Sequence, residues 1–210
     1  MWAIFVKGGP VMIPLAIFSV LGAAVTIEKI ITLRMSRVVQ RDIVNTIESV
    51  NTPSDIPMAI KICERYNTPF ANIIRTGLEE AGEPMGIIRQ AMEDAGRRET
   101  KRLERYLVLL ATVAAASPLL GLLGTVLGMI DVFSVISIAG VGQAGLLSSG
   151  IAQALITTAF GLSIGIPALV AYNLLDTRID TLVVRIDTYA HQLLKQLSAM
   201  NEEPAVRQST

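Results

Sequence analysis

Two threonines, Thr125 and Thr158, are the residues of this sequence whose placement best suits chemistry inside a lipid bilayer. Each lies in a long apolar segment, about 10 and about 8 residues from the predicted outer end, so both lie roughly 12–15 Å deep. A single threonine in a membrane helix commonly donates a hydrogen bond to its own i−4 carbonyl. Two threonines at one depth could instead form a polar ring for water and protons, if several copies of the chain assemble.

Gln153 and Thr157 lie one helical turn apart, on a different face of the segment that contains Thr158. A glutamine buried at membrane depth needs hydrogen-bonding partners, so we expect a water-lined or interhelical position. Lining of a pore and packing between helices are both consistent with this pattern. We therefore count Gln153 and Thr157, with the two threonines above, as candidate residues of a proton pathway.

Charged groups are nearly absent around these residues. Asp131 is the only charged residue between Tyr106 and Leu175, and it falls near the predicted outer end of its segment, close to water. A proton-driven machine needs a titratable group at membrane depth. If this protein takes part in proton transport, that group must come from another chain.

The rest of the sequence offers no other chemistry. Cys63 is the single cysteine and His191 the single histidine, so we expect a buried structural thiol, a surface histidine and no metal site. No catalytic triad pattern and no phosphate-binding loop is present, which predicts neither an enzyme nor a cofactor. The 18 basic and 18 acidic residues cancel, so the charge indicates no nucleic-acid partner.

The elements that must position the threonines are long apolar helices. The chain is 51% hydrophobic, with a mean hydropathy of +0.53, and a helix crosses the bilayer with about 20 apolar residues. We expect an all-α membrane protein with three transmembrane helices and long helical extensions. The predicted order is an N-terminal segment with the first span at 1–33, a helical domain at 34–105, a second span at 106–135, a connection at 136–149, a third span at 150–175, and a helix with a tail at 176–210.

The first span has an alternative interpretation as a cleaved signal peptide, since residues 22–24 resemble a cleavage site. The apolar run continues beyond them, and Arg34, Arg37 and Arg41 follow it. A basic cluster after an apolar run is typical of a stop-transfer sequence. We therefore favour a span that is retained.

The polar segments predict several helices outside the bilayer. Thr68 is expected to cap one of them with Pro69 at its first position. From about Pro84, one helix is expected to run without a break through Tyr106 into the second span. The tail at 201–210 is expected to be disordered. An amphipathic helix should continue the third span, because apolar residues recur with helical spacing at Leu182, Ile186, Tyr189, Leu193 and Leu197.

Lysine and arginine residues set the expected orientation. They are frequent in 34–105 and recur in 176–210, whereas the connection at 136–149 has none. Positive charge is retained on the cytoplasmic side of a membrane. We therefore expect both basic segments in the cytoplasm, and the N-terminus and the connection outside it.

Small residues form a stripe on one face of the second span and another on the third. Such stripes allow helix backbones to approach closely in lipid. Helix packing explains them without any further role, although the packing could surround a pore. The residues that we assign to this packing are Pro118, Gly121, Gly124, Gly128, Gly161, Gly165 and Pro167.

Two long motifs carry a resemblance to a known family. SPLLGLLGTVLGMI at 117–130 resembles the second-span signature of the ExbB/TolQ/MotA proton-channel family, and GIAQALITTAFGL at 150–162 resembles its third-span signature. Residues 7–10 and 27–29 look like the family's N-terminal pattern. Three spans with an outside N-terminus match the ExbB/TolQ branch.

The resemblance implies a homopentamer in the bacterial inner membrane, around a dimer of single-span ExbD/TolR-type partners. That partner carries the proton-binding Asp, and proton flow through the complex energises outer-membrane transport or envelope processes. The N-terminus would be periplasmic and the C-terminus cytoplasmic. Thr125 and Thr158 match the family's pore threonines, whereas Gln153 departs from the Glu that many members carry there.

Two rival hypotheses remain. A membrane scaffold of the same fold that no longer conducts is consistent with Gln153. A self-contained small-solute transporter is disfavoured by the missing intramembrane charges and by an odd number of spans, which leaves no equal halves.

Overall fold

The computed structural model describes residues 8–50, 52–139 and 144–207, and all regular secondary structure within these ranges is helical. A 3-10 turn, Pro53–Asp55, precedes the fourth of the helices. The α-helices in chain order are α1 (Met12–Thr32), α2 (Met35–Val38), α3 (Arg41–Ser49), α4 (Ile56–Glu64), α5 (Pro69–Glu79), α6 (Met85–Glu104), α7 (Leu107–Ala139) and α8 (Ala144–Arg207).

Three helices are long and apolar enough to cross a membrane. They are α1, the part of α7 at Leu107–Ile138, and the part of α8 at Leu147–Met200. This confirms the predicted all-α fold with three membrane-spanning helices. Their side chains face outward to a large extent, as expected for helices surrounded by lipid tails: Ile13, Leu119 and Leu155 are each more than 60% exposed.

The chain divides into two compact units. The first, which we call the membrane unit, contains the chain up to Lys29 and from Tyr106 to Leu175. The second, which we call the helical domain, contains 30–105 and 176–210. The long helix α8 contributes to both, because it continues without interruption from the third span into the amphipathic segment, as the sequence predicted.

The helical domain has an apolar core of large side chains. Phe70 is fully buried on α5 and lies 5.5 Å from Tyr189 of α8, measured between ring centroids. Thr68 caps α5 as predicted, since its hydroxyl accepts from the Ala71 amide at 3.3 Å. The predicted apolar positions of α8 also belong to this core, with buried side chains at Leu182, Ile186, Leu193 and Leu197.

The prediction of one helix from Pro84 into the second span is wrong. α6 ends at Glu104 and α7 begins at Leu107, because Tyr106 has a φ of 73°. This left-handed conformation is rare for a bulky residue and cannot continue a right-handed helix. The ring of Tyr106 packs on the Lys29 ammonium group, 5.9 Å from Nζ to the ring centroid, and Lys29 is itself buried.

The predicted disorder of 201–210 is also wrong for 201–207, where the backbone of α8 continues as a helix to Arg207. Extending a formed helix fixes one residue per hydrogen bond, whereas starting a helix fixes three, so a formed helix extends into polar sequence more readily than a new one begins there. Residues 208–210 lie outside the described residues.

Candidate functional site

The contact between α7 and α8 is made by backbone against backbone. A Cβ atom on Gly121 would lie 3.0 Å from the Thr157 carbonyl oxygen and 3.0 Å from the Thr158 Cα. A Cβ atom on Gly161 would lie 2.6 Å from the Ser117 carbonyl oxygen. Real Cβ atoms essentially never come as close as the distance at Gly161, and the distance at Gly121 is tighter than nearly all real contacts, so a side chain at either position requires the helices to shift.

The same close contact extends toward both ends of the helix pair. A Cβ atom on Gly128 would lie 2.9 Å from the Gly150 carbonyl oxygen, and one on Gly165 would lie 2.7 Å from the Pro118 ring. Of the small residues singled out in the sequence, Gly121, Gly124, Gly128, Gly161, Gly165 and Pro118 all lie in this contact. Pro167 is exposed on α8 instead.

Thr157 is fully buried within this contact, opposite Gly124. Its Oγ1 occupies the space that a side chain on Gly124 would need. The hydroxyl donates to its own helix, 2.8 Å from the Ala154 carbonyl oxygen and 3.2 Å from that of Gln153. In this position Thr157 fills space between two helices and has its donor satisfied.

Thr158 and Thr125 use their hydroxyls in different ways. Thr158 Oγ1 donates across the helix pair to the Gly121 carbonyl oxygen at 3.0 Å, whereas Thr125 Oγ1 donates to the Leu122 carbonyl oxygen of its own helix at 2.6 Å. Gly121 and Thr125 are four residues apart, so the two threonines lie within about one turn, or about 6 Å along α7. Both side chains are partly exposed, and each hydroxyl keeps a lone pair for a further donor.

Gln153 contacts a different element. It is partly exposed on α8, and its side-chain amide lies against Gly9 in the turn that precedes α1. Gly9 has a φ of 71°. Three polar residues within two turns of α8 therefore contact both of the other membrane helices: Gln153 toward α1, and Thr157 and Thr158 toward α7.

The profile of the MotA/TolQ/ExbB proton channel family matches residues 65–188, which is more than half of the chain and includes α7 and the third span. The chain belongs to this family. The ExbB-like 3 protein of Synechocystis sp. is 35% identical over 173 residues, which cover 79% of this chain and 80% of that protein.

Two further relatives have names that refer to function. The Tol-Pal system protein TolQ of Pseudomonas aeruginosa is 44% identical over 107 residues, covering 50% of this chain and 46% of TolQ. The biopolymer transport protein ExbB of Xanthomonas campestris pv. campestris is 34% identical over 117 residues, covering 56% of this chain and 46% of ExbB. The matched region thus spans about half the length of these two relatives. The chain is a multi-pass membrane protein of a proton-channel family, and these two relatives are named for biopolymer transport and for the Tol-Pal system.

The single cysteine and the single histidine of the chain both lie in the helical domain. Cys63 is buried, as predicted, and burial raises the pKa of its thiol to about 11 although the nearby Arg75 lowers it. His191 is exposed on α8, as predicted, and lies 3.4 Å from Asp187. Among the described residues there is no group of three His, Cys, Asp or Glu side chains that could hold a metal ion.

Sequence reasoning missed two residues that the site depends on. Ser117 is fully buried and donates to the Val113 carbonyl oxygen at 2.6 Å, directly beside the contact with Gly161. Its position in the small-residue stripe, four residues before Gly121, was the available signal. Gly9 was visible only as part of the family's N-terminal pattern, and no periodicity pointed to Gln153 as its neighbour.

Proposed function

We propose that this chain is the proton-channel subunit of a motor in the bacterial inner membrane. In this proposal the motor uses the proton motive force, with an ExbD/TolR-type single-span partner, to energise outer-membrane transport or envelope processes. The observation that supports it best is the pair of threonine hydroxyls on α7 and α8, in an uncharged part of both helices. Partly exposed hydroxyls on Thr125 and Thr158 lie within one turn of each other, in helices whose middle sections carry no charge.

The proton path in this proposal follows the outer surface of the α7–α8 pair. The pair itself is closed by contacts between backbone atoms, such as Gly161 against the Ser117 carbonyl, so water has no room between the two helices. A path past Thr125 and Thr158 must then be completed by other chains. This requirement favours a homo-oligomer, a pentamer by the family resemblance, around a partner dimer that supplies the proton-binding Asp.

The other two pathway candidates, Thr157 and Gln153, are assigned to packing between helices. Thr157 is fully buried and has its hydroxyl satisfied within α8, and Gln153 lies against Gly9. We therefore restrict the proposed path to Thr125 and Thr158. Thr157 fills the contact with Gly124, and Gln153 packs against the turn that precedes α1.

The proposed orientation places the helical domain in the cytoplasm and the N-terminus in the periplasm. It rests on the basic residues of 34–105 and 176–210 and on the absence of Lys and Arg from 136–149. The segments 1–33, 106–135 and 150–175 would carry the spans. We infer no enzymatic activity and no cofactor, since the chain acts by binding and conduction.

Reconstitution into proteoliposomes tests this function. The chain alone should conduct protons poorly, because nothing at membrane depth titrates, and addition of the partner should create a flux that is lost when the partner's Asp is replaced by Asn. Asp131→Asn is the matched control within this chain and should leave the flux in place. A partner-independent flux that persists in Asp131→Asn would contradict the proposal.

A non-conducting scaffold of the same fold is the second candidate. It is favoured by the neutral Gln153 and by its contact with Gly9, which uses the side chain for packing. The same experiment separates the two functions. A scaffold would assemble with the partner and show no flux above that of empty vesicles.

A further inference from the structure

The turn that precedes α1 has an unusual backbone. Gly9 has a φ of 71°, a left-handed conformation that glycine adopts without strain. The Met12 amide donates to the Gly9 carbonyl oxygen at 3.1 Å, and the Ile13 amide donates to that of Pro10 at 3.2 Å. The chain therefore enters the first span through a tight turn formed by residues 8–12.

This turn is packed onto α8. A Cβ atom on Gly9 would fall on Nε2 of Gln153 and lie 3.2 Å from its Cδ. A Cβ atom on Gly8 would overlap the Met12 side chain and lie 3.5 Å from Ile156 Cγ2. The amide of Gln153 thus occupies the space that any L side chain at position 9 would take.

The contact continues along α1 as apolar packing. Val11, Met12 and Leu15 are buried, and the partly buried side chains packed against them come from α7 and α8: Leu120, Phe160 and Ile164. On α8, positions 153, 156, 160 and 164 follow the spacing of a single helix face. Gln153 is the first of these four residues and the polar one, and the α8 face that they form packs against α1.

We propose that Gln153 is a positioning residue, which holds the turn at 8–12 on α8 and so fixes the segment of α8 that carries Thr157 and Thr158. The Gln153 carbonyl oxygen already accepts from Thr157, and the next residue, Thr158, is bonded to Gly121 of α7. A shift of Gln153 is therefore transmitted directly to the hydroxyl proposed to line the path. The role of Thr158 in this inference rests on the proposed function, whereas the contact between Gln153 and the turn does not.

A double-mutant cycle tests the contact in the purified protein. Asn tolerates a positive φ better than other side chains, so Gly9→Asn mainly adds a side chain where the Gln153 amide lies. We expect it to lower the midpoint of thermal unfolding in detergent by about 2–4 °C. Combination with Gln153→Ala should recover at least half of that loss. Gly145→Asn, where no atom lies within 4 Å of the added Cβ, is the control and should not change the midpoint.

The same variants, reconstituted with the partner, test the positioning role. Gly9→Asn should reduce proton flux at least tenfold. Gln153→Ala should also reduce it, because the contact that positions α8 is lost, and the double variant should fall no lower than the worse single variant. Gln153→Glu keeps the size of the side chain, so it should retain the flux and its pH dependence. A structural contact without a positioning role would alter the unfolding midpoint and leave the flux per assembled complex unchanged.

Three results would overturn the inference. The first is additivity of the two substitutions in the unfolding midpoint. The second is unchanged flux in every assembled variant, and the third is a new titration in the flux of Gln153→Glu, which would place residue 153 in the path itself. If the wild-type complex conducts nothing, the proposed function fails, and the unfolding cycle still decides whether Gln153 holds the turn.

Discussion

The membrane unit and the helical domain are held together in opposite ways. In the helical domain large apolar side chains such as Phe70, Ile74 and Leu78 are buried, and charged residues cover the surface. In the membrane unit many large side chains, such as Leu119 and Leu155, are exposed, and the contact between α7 and α8 is made by glycines such as Gly121 and Gly161. In water, burial of apolar surface drives packing, whereas in lipid it does not, and close approach of backbones takes its place. Removal of atoms should therefore harm the helical domain, and addition of atoms should harm the membrane unit.

The largest effect is expected from removing a core side chain of the helical domain. Phe70→Ala should lower the free energy of unfolding by about 3–5 kcal/mol, because Phe70 is fully buried and leaves a cavity. Chemical denaturation in detergent, followed through the helical signal, measures this change. Met58→Ala, at a residue that is 65% exposed, should stay within about 0.5 kcal/mol of the wild type. Equal effects of the two variants would show that the apolar core is not what holds this unit.

The opposite test adds atoms to a close helix contact of the membrane unit. Gly161→Ala should cost about 1–3 kcal/mol, since the new methyl group would lie 2.6 Å from the Ser117 carbonyl oxygen and the helices must separate. Gly145→Ala adds the same group to a helix position where no atom lies within 4 Å, and should not destabilise the protein. Thermal unfolding in detergent compares the pair. If Leu119→Ala, which removes atoms from an exposed side chain, proves more harmful than Gly161→Ala, the contrast between the two units is wrong.

The difference between the units also explains what the sequence could predict. Spans and helical type followed from apolar length and spacing, and the cap at Thr68 followed from local chemistry. These features depend on residues close together in the chain. The break at Tyr106 did not follow, because no glycine or proline marks it in the sequence and the ring contact that Tyr106 makes is with Lys29, which is far away in the chain.

The candidate site was predictable in the same uneven way. Thr125 and Thr158 could be singled out from composition and depth, and the structure adds that Thr158 is bonded to Gly121 while Thr125 is bonded to its own helix. Helical spacing alone does not say whether Gln153 contacts α7 or the segment before α1. Only the position of Gly9 in the folded chain separates the two possibilities.

A smaller effect on stability, with a large effect on function, is expected at Thr158. Thr158→Val removes one interhelical hydrogen bond, worth about 0.6 kcal/mol in membrane proteins, so the complex should assemble. It should lose motor-dependent growth or uptake, whereas Thr158→Ser keeps a donor and an acceptor and should retain much of it. Thr125→Val should be milder. Complex levels in the membrane are measured in parallel, and equal activity of the Val and Ser variants at both positions would exclude the hydroxyls from the path.

The last test concerns the orientation of the chain in the membrane, and its substitutions should perturb the protein least. Cys63 is buried, and its pKa of about 11 leaves only about one thiol in a thousand ionised at pH 8, so native protein should resist maleimide from either side and react only after denaturation. Absence of labelling at Cys63 therefore does not report topology. The test uses Cys63→Ser protein with one new cysteine at an exposed position. Met58→Cys in the helical domain should react with a membrane-impermeant maleimide only after spheroplasts are permeabilised, whereas Ser148→Cys near the start of α8 should react in intact spheroplasts. Because both new cysteines lie at exposed positions, the two proteins should reach the level of the Cys63→Ser parent, and the reverse labelling pattern would invert the proposed orientation.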